Sequence, residues 1–237
     1  MISEPDQLDL DSLTEITDLQ AELLSRYEWW VINLWIESMT DKQAELLSKY
    51  AGWTLNLWIR SITDMQAKFL GNASCYKLSL DWLLDISENQ VAYLASFKWI
   101  TTGLSLKWLT VLWEKQAHYF WKAQCECLDL SWIIKFTNDI EAISLSNYAW
   151  NILVLNWIEE ITDNQVRALS NFKWKILWLK WLTSITDAQV KIFVNYQCWE
   201  LYLTNVQNLT WEQQNYIQRN SNCYIHLRSP LTDLFWI

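Results

Sequence analysis

Apolar residues along this chain recur in two alternating rhythms. At Leu153-Val-Leu155 two leucines flank a single residue, the spacing of a short strand with one face buried. Ile158 and Ile161 follow, and Thr162-Asp-Asn-Gln165 then reads as a capping box, in which the Thr hydroxyl accepts from a first-turn N–H and the Gln side chain reaches back to the cap. Val166, Leu169 and Phe172 next recur at three-residue spacing, which predicts a short helix with one apolar stripe. Strand, turn and capped helix fit in about two dozen residues, too few to enclose a core, so neighbouring copies must close it.

The unit repeats along the chain. The second leucine of each strand falls at Leu10, Leu34, Leu57, Leu80, Leu106, Leu130, Leu155, Leu179, Leu203 and Leu227, at spacings between 23 and 26 residues. The strands therefore begin near Leu8, Ile32, Leu55, Leu78, Leu104, Leu128, Leu153, Leu177, Leu201 and Ile225, and residues 1–237 read as one repeat domain. Caps of the form [ST]-x-x-Q start at Thr17, Thr40, Thr63, Ser87, Thr162, Thr186 and Thr210. In the sixth copy Asn138 and Glu141 take those roles, and in the fifth Trp113 stands at the cap before Gln116. Helix stripes such as Ala21/Leu24/Tyr27, Ala44/Leu47/Tyr50, Val91/Leu94/Phe97 and Val190/Phe193/Tyr196 read as core. Extra residues enter only between the fourth and fifth strands, around Ile100-Thr-Thr-Gly103.

With the consensus LxLxxLxxITDxQAxxLSxY over residues 8–234, the chain resembles leucine-rich repeat proteins of bacterial type. That resemblance implies an α/β solenoid arc of about ten strand–helix repeats of 23–26 residues, with a parallel concave sheet and convex helices. It also implies a binding protein, usually of other proteins, and not an enzyme. Common versions of the repeat place Asn three residues after the second strand leucine. Here that position holds Leu13, Leu83, Leu109, Ile133, Ile158, Leu182 or Val206, so apolar packing is expected to hold the turns.

Tryptophan usage adds a second question. The chain has 19 Trp and 3 Gly, whereas Gly ordinarily makes up about 7% of residues. Trp82, Trp108, Trp132, Trp157 and Trp181 follow the strand leucine by two residues, with Trp35 and Trp58 at the matching turns of shorter copies. Repeats of the family that the chain resembles carry Gly there (LxLxGLxxIT). Trp29/Trp30, Trp53, Trp99, Trp150, Trp174 and Trp199 follow helices, where a left-handed residue is wanted and Gly is usual. Trp113 and Trp211 fall at or just after caps. UGA is read as Trp in some genetic codes and as Gly in others, so many of these residues are expected to be Gly in the living organism. In a genuine Trp-rich chain, seven rings would instead stack at one sheet edge, repeating every ~5 Å as strands do.

Charge and composition narrow the partners. The net charge of −9 disfavours nucleic acid and anionic membrane surfaces. No run approaches the eighteen or so apolar residues of a membrane helix. The acidic start MISEPDQLDL lacks a basic segment followed by an apolar one, which argues against a signal peptide. Cys75, Cys125, Cys127, Cys198 and Cys223 are odd in number and irregularly placed, and Cys125-Glu-Cys127 is not CxxC. They read as reduced, partly buried thiols of a reducing compartment, so a cytoplasmic location is expected, with a signal-less secretion route left open. The absence of polar caps at the ends suggests a piece of a longer chain or end-to-end self-association.

Catalytic motifs are missing. The histidines, His118 and His226, lie about a hundred residues apart, which a solenoid keeps several repeats apart in space. No P-loop, GxGxxG, GxSxG or HExxH occurs. The expectation is a non-enzymatic chain with no cofactor and no metal. Side chains alternate along strands, so the concave face should carry Asp9/Asp11, Asn33, Asn56, Ser79/Asp81, Ser105/Lys107, Asp129/Ser131, Val154/Asn156, Trp178/Lys180, Tyr202/Thr204 and His226/Arg228. It runs from small and acidic to aromatic and basic. Trp, Tyr and Arg dominate binding hot spots, so a protein partner is expected at Trp178, Lys180, Tyr202, His226 and Arg228. The alternatives are a glycan or small ligand on an exposed aromatic stripe, or recruitment of substrate for a larger effector.

Overall fold

A computed structural model describes residues 7–10, 12–27, 30–96, 103–123, 125–147, 151–171 and 175–227 of the chain. Ten strands alternate with nine helices among them. The strands are β1 (Gln7–Leu10), β2 (Val31–Leu34), β3 (Thr54–Leu57), β4 (Lys77–Ser79), β5 (Gly103–Ser105), β6 (Cys127–Asp129), β7 (Ile152–Val154), β8 (Ile176–Trp178), β9 (Glu200–Leu203) and β10 (Tyr224–Leu227). The helices are α1 (Asp18–Ser25), α2 (Asp41–Leu47), α3 (Asp64–Leu70), α4 (Glu88–Leu94), α5 (Glu114–Phe120), α6 (Asp139–Ser146), α7 (Asp163–Leu169), α8 (Asp187–Val194) and α9 (Trp211–Asn220).

All ten strands form one parallel sheet in chain order. Its register is the one that the leucine period predicts. Leu8, Ile32, Leu55, Leu78, Leu104, Leu128, Leu153, Leu177, Leu201 and Ile225 stand in a single row. The extra residues around 100 leave that register intact, because Leu78 still pairs with Leu104. Gly103 permits the close approach on the far side, since a Cβ there would lie 2.5 Å from the Cys127 carbonyl oxygen. The helices cover one face of the sheet, and strand leucines join the helix stripe in one continuous apolar core. Tyr50, Tyr196 and Phe193 are fully buried in it, as the stripe implies. Phe97 and Phe172 lie outside the described residues. The result is an α/β solenoid whose concave sheet faces away from its helices, with the main contacts joining neighbours in chain order.

The caps form as the sequence predicts. Thr63, for example, accepts from the Gln66 N–H at 3.1 Å, while Gln66 Oε1 accepts from the Thr63 N–H at 2.9 Å. In the sixth copy Asn138 accepts from Ile140 N–H, and the buried Glu141 carboxylate takes N–H and hydroxyl bonds from Thr137. In the fifth, Trp113 offers no side-chain cap, and Gln116 alone closes the turn by accepting from its N–H at 2.8 Å.

The glutamines have a second role that the sequence did not disclose. Their amide groups donate to backbone of the preceding repeat: Gln43 to Ile16, Gln66 to Met39, Gln90 to Ile62, Gln116 to Ile86 and Gln189 to Ile161, at 2.5–2.8 Å. The cap hydroxyls add another tie. Thr63, Ser87, Thr162 and Thr186 donate to the first-turn Asp of the repeat before them. The turns after the strands are likewise held by more than apolar packing. Leu83, Leu109, Ile133, Ile158 and Leu182 are buried, and each also donates its N–H three residues back to the strand leucine.

This arrangement separates two functions of one residue. Gln66→Glu keeps the acceptor that closes the cap but cannot donate to the buried Met39 carbonyl. It is expected to destabilise the protein by about 1–3 kcal/mol, the usual effect of an unsatisfied buried group. Thr63→Ala, losing the cap, should cost about 1 kcal/mol. Denaturant unfolding measures both. A Gln66→Glu change within a few tenths of wild type would show that the inter-repeat bond contributes nothing.

Candidate functional site

Parallel in-register pairing places each residue beside its counterpart one repeat away, so the helix-free face is built of ladders. Its N-terminal half is polar, and its strand side chains hydrogen-bond to one another. Asn33 donates to Asp9, and Asn56 donates to Asn33 at 2.5 Å. Hydrogen bonds from Asn33 and Gln7 hold the Asp9 carboxyl below its usual range. Ser105 donates to Asp81 at 2.5 Å, and Ser131 donates to Asp129 through both its hydroxyl and its N–H. Lys107 lies between the two carboxylates, 3.6 Å from Asp81 and 4.0 Å from Asp129.

The C-terminal half differs. Trp178, Tyr202 and His226 occupy equivalent positions on β8, β9 and β10 and form an aromatic ladder. Trp178 and Tyr202 lie 5.2 Å apart and tilted, while Tyr202 and His226 stack at 4.1 Å and 6°. Lys180, one residue past the strand leucine, places its ammonium 4.3 Å from the Trp178 ring centre and 5.7 Å from that of Tyr202, within cation–π range. Unlike Lys107, it meets no carboxylate among the described residues.

Glu200 ties the ladder to the edge of the sheet. Its carboxylate accepts from the Tyr202 hydroxyl at 2.6 Å and lies 3.3 Å from His226 Nε2. That hydrogen bond, with some burial, pushes the Tyr202 phenol up to about 12. The sequence reading missed Glu200, although its two-residue spacing from Tyr202 on one strand places both on the same face. Beside the ladder, two polar atoms are buried without a partner among the described residues, the Trp178 indole N–H and the Asn156 amide oxygen. The structure thus brings together four of the five expected residues: Trp178, Lys180, Tyr202 and His226. Arg228 lies outside the described residues.

A second aromatic array runs along the turns that follow the strands. Trp35, Trp58, Trp82, Trp108, Trp132, Trp157 and Trp181 form an unbroken row with ring centres 4.5–5.7 Å apart. Most neighbours stack, so their faces are largely spent on one another. The outer rings, Trp35 and Trp181, are the most open, at 40% and 46% exposed. One expectation about these positions needs correction. No described residue has a positive φ, so neither the turn tryptophans nor Trp30, Trp53 and Trp199 after helices sit in left-handed backbone. The described helices end in right-handed or extended residues, such as Ser48 and Ser221, and need no glycine there. Trp29, Trp99, Trp150 and Trp174 lie outside the described residues.

Other candidate chemistry is sparse. His118 is an exposed residue of α5, 5.7 Å from the ring of Trp121. Among the described residues no group of His, Cys, Asp and Glu could hold a metal ion, and no helix is long and apolar enough to cross a membrane. Comparison with protein-family models and with curated proteins gives no match.

The acidic pair in the polar half has a measurable consequence. Burial, reinforced by repulsion from Asp81, outweighs the Ser131 bonds and Lys107 and pushes the Asp129 carboxyl above its ordinary 3.8. A carboxyl that holds its proton more tightly folded than unfolded stabilises the protein below the unfolded value. That contribution is lost as pH rises through the raised folded value. Asp129→Asn keeps an acceptor for Ser131 without the charge, so it should be more stable than wild type at neutral pH. The margin should shrink as pH falls to 3.8 and below. Denaturant midpoints measured across that range test the sign, and a pH-independent difference would contradict it.

Proposed function

We propose that this chain is a non-enzymatic leucine-rich repeat scaffold that binds a protein partner on its open sheet face. The observation that carries this reading is the contrast between the two halves of that face. The N-terminal half spends its polar groups on its own neighbours. The C-terminal half presents an aromatic ladder and, among the described residues, an ammonium with no carboxylate beside it and an unpartnered buried donor and acceptor. Such groups are the ones a partner can satisfy. The partner would offer an acidic group to Lys180 and apolar surface to Trp178 and Tyr202. Parallel strands hold these side chains in place beforehand, so little ordering cost falls on association.

A glycan platform finds less support. A sugar stacks on an open ring face, and in the long tryptophan row only the two ends leave such faces open. Recruitment within a larger effector would use the same C-terminal ladder and is compatible with the scaffold reading.

Partners captured from the native source provide the test. Tyr202→Ala, Lys180→Ala and Arg228→Ala should each weaken capture of the same partner while leaving helix content unchanged, with a loss at Tyr202 of about 2 kcal/mol, roughly thirtyfold. Arg26→Ala, on the helix side at the end of α1, should have no effect. Equal capture by all variants would remove the ladder from consideration.

We propose in addition that many of the turn tryptophans are glycine in the organism. This reading rests on composition and on the glycine that the resembled repeats carry at these positions, since the backbone there asks for no left-handed residue. The source DNA tests it: UGA codons at positions 82, 108, 132, 157 and 181 are expected, and UGG codons there would end it.

A further inference from the structure

The last two repeats contain a cavity of about 650 Å³ between the start of β9, the start of β10 and the end of α9. Cys198, Cys223, Trp199, Ile217, Ser221 and Tyr224 are among its walls. Glu200 pairs with Tyr224, so Cys198 and Cys223 stand on adjacent approaches to neighbouring strands. The backbone is held together on both sides of them, by Tyr224 N–H donating to the Trp199 carbonyl at 2.9 Å and Asn222 N–H donating to the Val194 carbonyl at 3.2 Å. Cys198, which is buried, and Cys223, which is only partly buried, both line this cavity. Two cysteines that share one cavity wall on neighbouring strands, one residue out of register, are placed for a covalent bond with little backbone movement.

We propose that Cys198 and Cys223 are a redox-active dithiol, a modification site that takes low-molecular-weight disulfides as oxidant and closes to a disulfide between the last two repeats. The partly exposed Cys223 thiolate attacks one sulfur of the small disulfide. A mixed disulfide forms and one small thiolate leaves. Cys198 then gives its proton to that leaving thiolate or to water and attacks the Cys223 sulfur, expelling the second small thiol. Two protein thiols are oxidised to one disulfide, and one small disulfide is reduced to two thiols.

The remaining cysteines do not share this placement. Cys75 and Cys125 are buried, and burial pushes the thiols of Cys75 and Cys127 up to about 12, Asp129 adding to the effect at Cys127. The neighbouring Cys198 thiol has the opposite effect on Cys223 and lowers its thiol, which raises the thiolate fraction at neutral pH. The bond would close a loop that contains the whole of α9, a helix with Ile217 as its one buried residue. It therefore fastens the repeat with the thinnest core.

The test uses the full chain, oxidised glutathione and intact mass, followed by mapping of unreduced peptides. Wild type should lose two thiols without retaining glutathione and yield a Cys198–Cys223 link. Cys198→Ser should stop at a stable glutathione adduct on Cys223. Cys223→Ser should react at least about tenfold more slowly than wild type, because the activated thiolate is gone. Unfolding of oxidised wild type should begin at a higher temperature than that of the reduced protein. A stable glutathione adduct on wild type, a link between any other pair, or wild-type oxidation no faster than in Cys223→Ser would each overturn the proposal. The wild-type measurements decide the matter even where a variant fails to fold.

Discussion

The hydrogen bond from the capping-box glutamines Gln43, Gln66, Gln90, Gln116 and Gln189 to the preceding repeat is the interaction on which the rest of the structure depends. A helix N-terminus leaves N–H groups without intrahelical partners, and the glutamine carbonyl, with the Thr hydroxyl, satisfies part of that need. Its amide group then has to go somewhere. Packed under its own helix, it reaches a backbone carbonyl of the turn before. One side chain thus closes a local element and fixes the distance to its neighbour. Gln43, Gln66, Gln116 and Gln189 are buried while doing so, where leaving either end unpaired would be expensive. The sixth repeat shows the constraint by breaking it. Glu141 can only accept, and it turns to Thr137 and Asn138 and makes no bond to the repeat before among the described residues.

This double use explains what was and was not legible in the sequence. Strand positions and register follow from the leucine period, because a one-residue slip would turn the buried face outward. The caps follow from local chemistry between residues three apart. The bond from Gln66 to Met39 spans 27 residues, and nothing in either residue's own neighbourhood marks it. The expected left-handed helix ends failed for a related reason. Glycine preference at such ends was inferred from isolated-helix rules, whereas none of the described residues after these helices has a positive φ. The only close approaches that require glycine are elsewhere, at Gly103 and at Gly71, where a Cβ would lie 2.0 Å from the Tyr93 carbonyl oxygen in the next helix.

The same logic sorts the open face of the sheet. In a solenoid, a side chain's nearest neighbour is its counterpart about 24 residues on, so residue types one period apart decide whether a ladder is self-sufficient. Asp9, Asn33 and Asn56 alternate acceptor and donor and complete one another. Asp81 and Asp129 lie two repeats apart on either side of the strand-leucine row, with Lys107 between them. Trp178, Tyr202 and His226 continue as a row of rings, tilted and then stacked, with the Lys180 ammonium over the first two. The candidate site is what remains once each ladder has met its own demands. Composition along the strands disclosed the change from acidic to aromatic, but only the pairing distinguishes satisfied charge from available charge.

Reading positions modulo the period also changes the meaning of the cysteines. Along the linear chain, Cys198 and Cys223 look unrelated, 25 residues apart and without a metal-binding or redox spacing. Folded on a pitch of about 24 residues, that separation is the spacing of neighbours, with one residue of offset. The Trp row obeys the same arithmetic, as do the cap hydroxyls that donate to the aspartate one repeat earlier. A motif search that looks only along the chain examines separations of two to five residues and passes over every one of these contacts. In an array of this kind chemistry should be sought at one period plus or minus a residue, where in-register parallel pairing holds any two side chains within reach of each other.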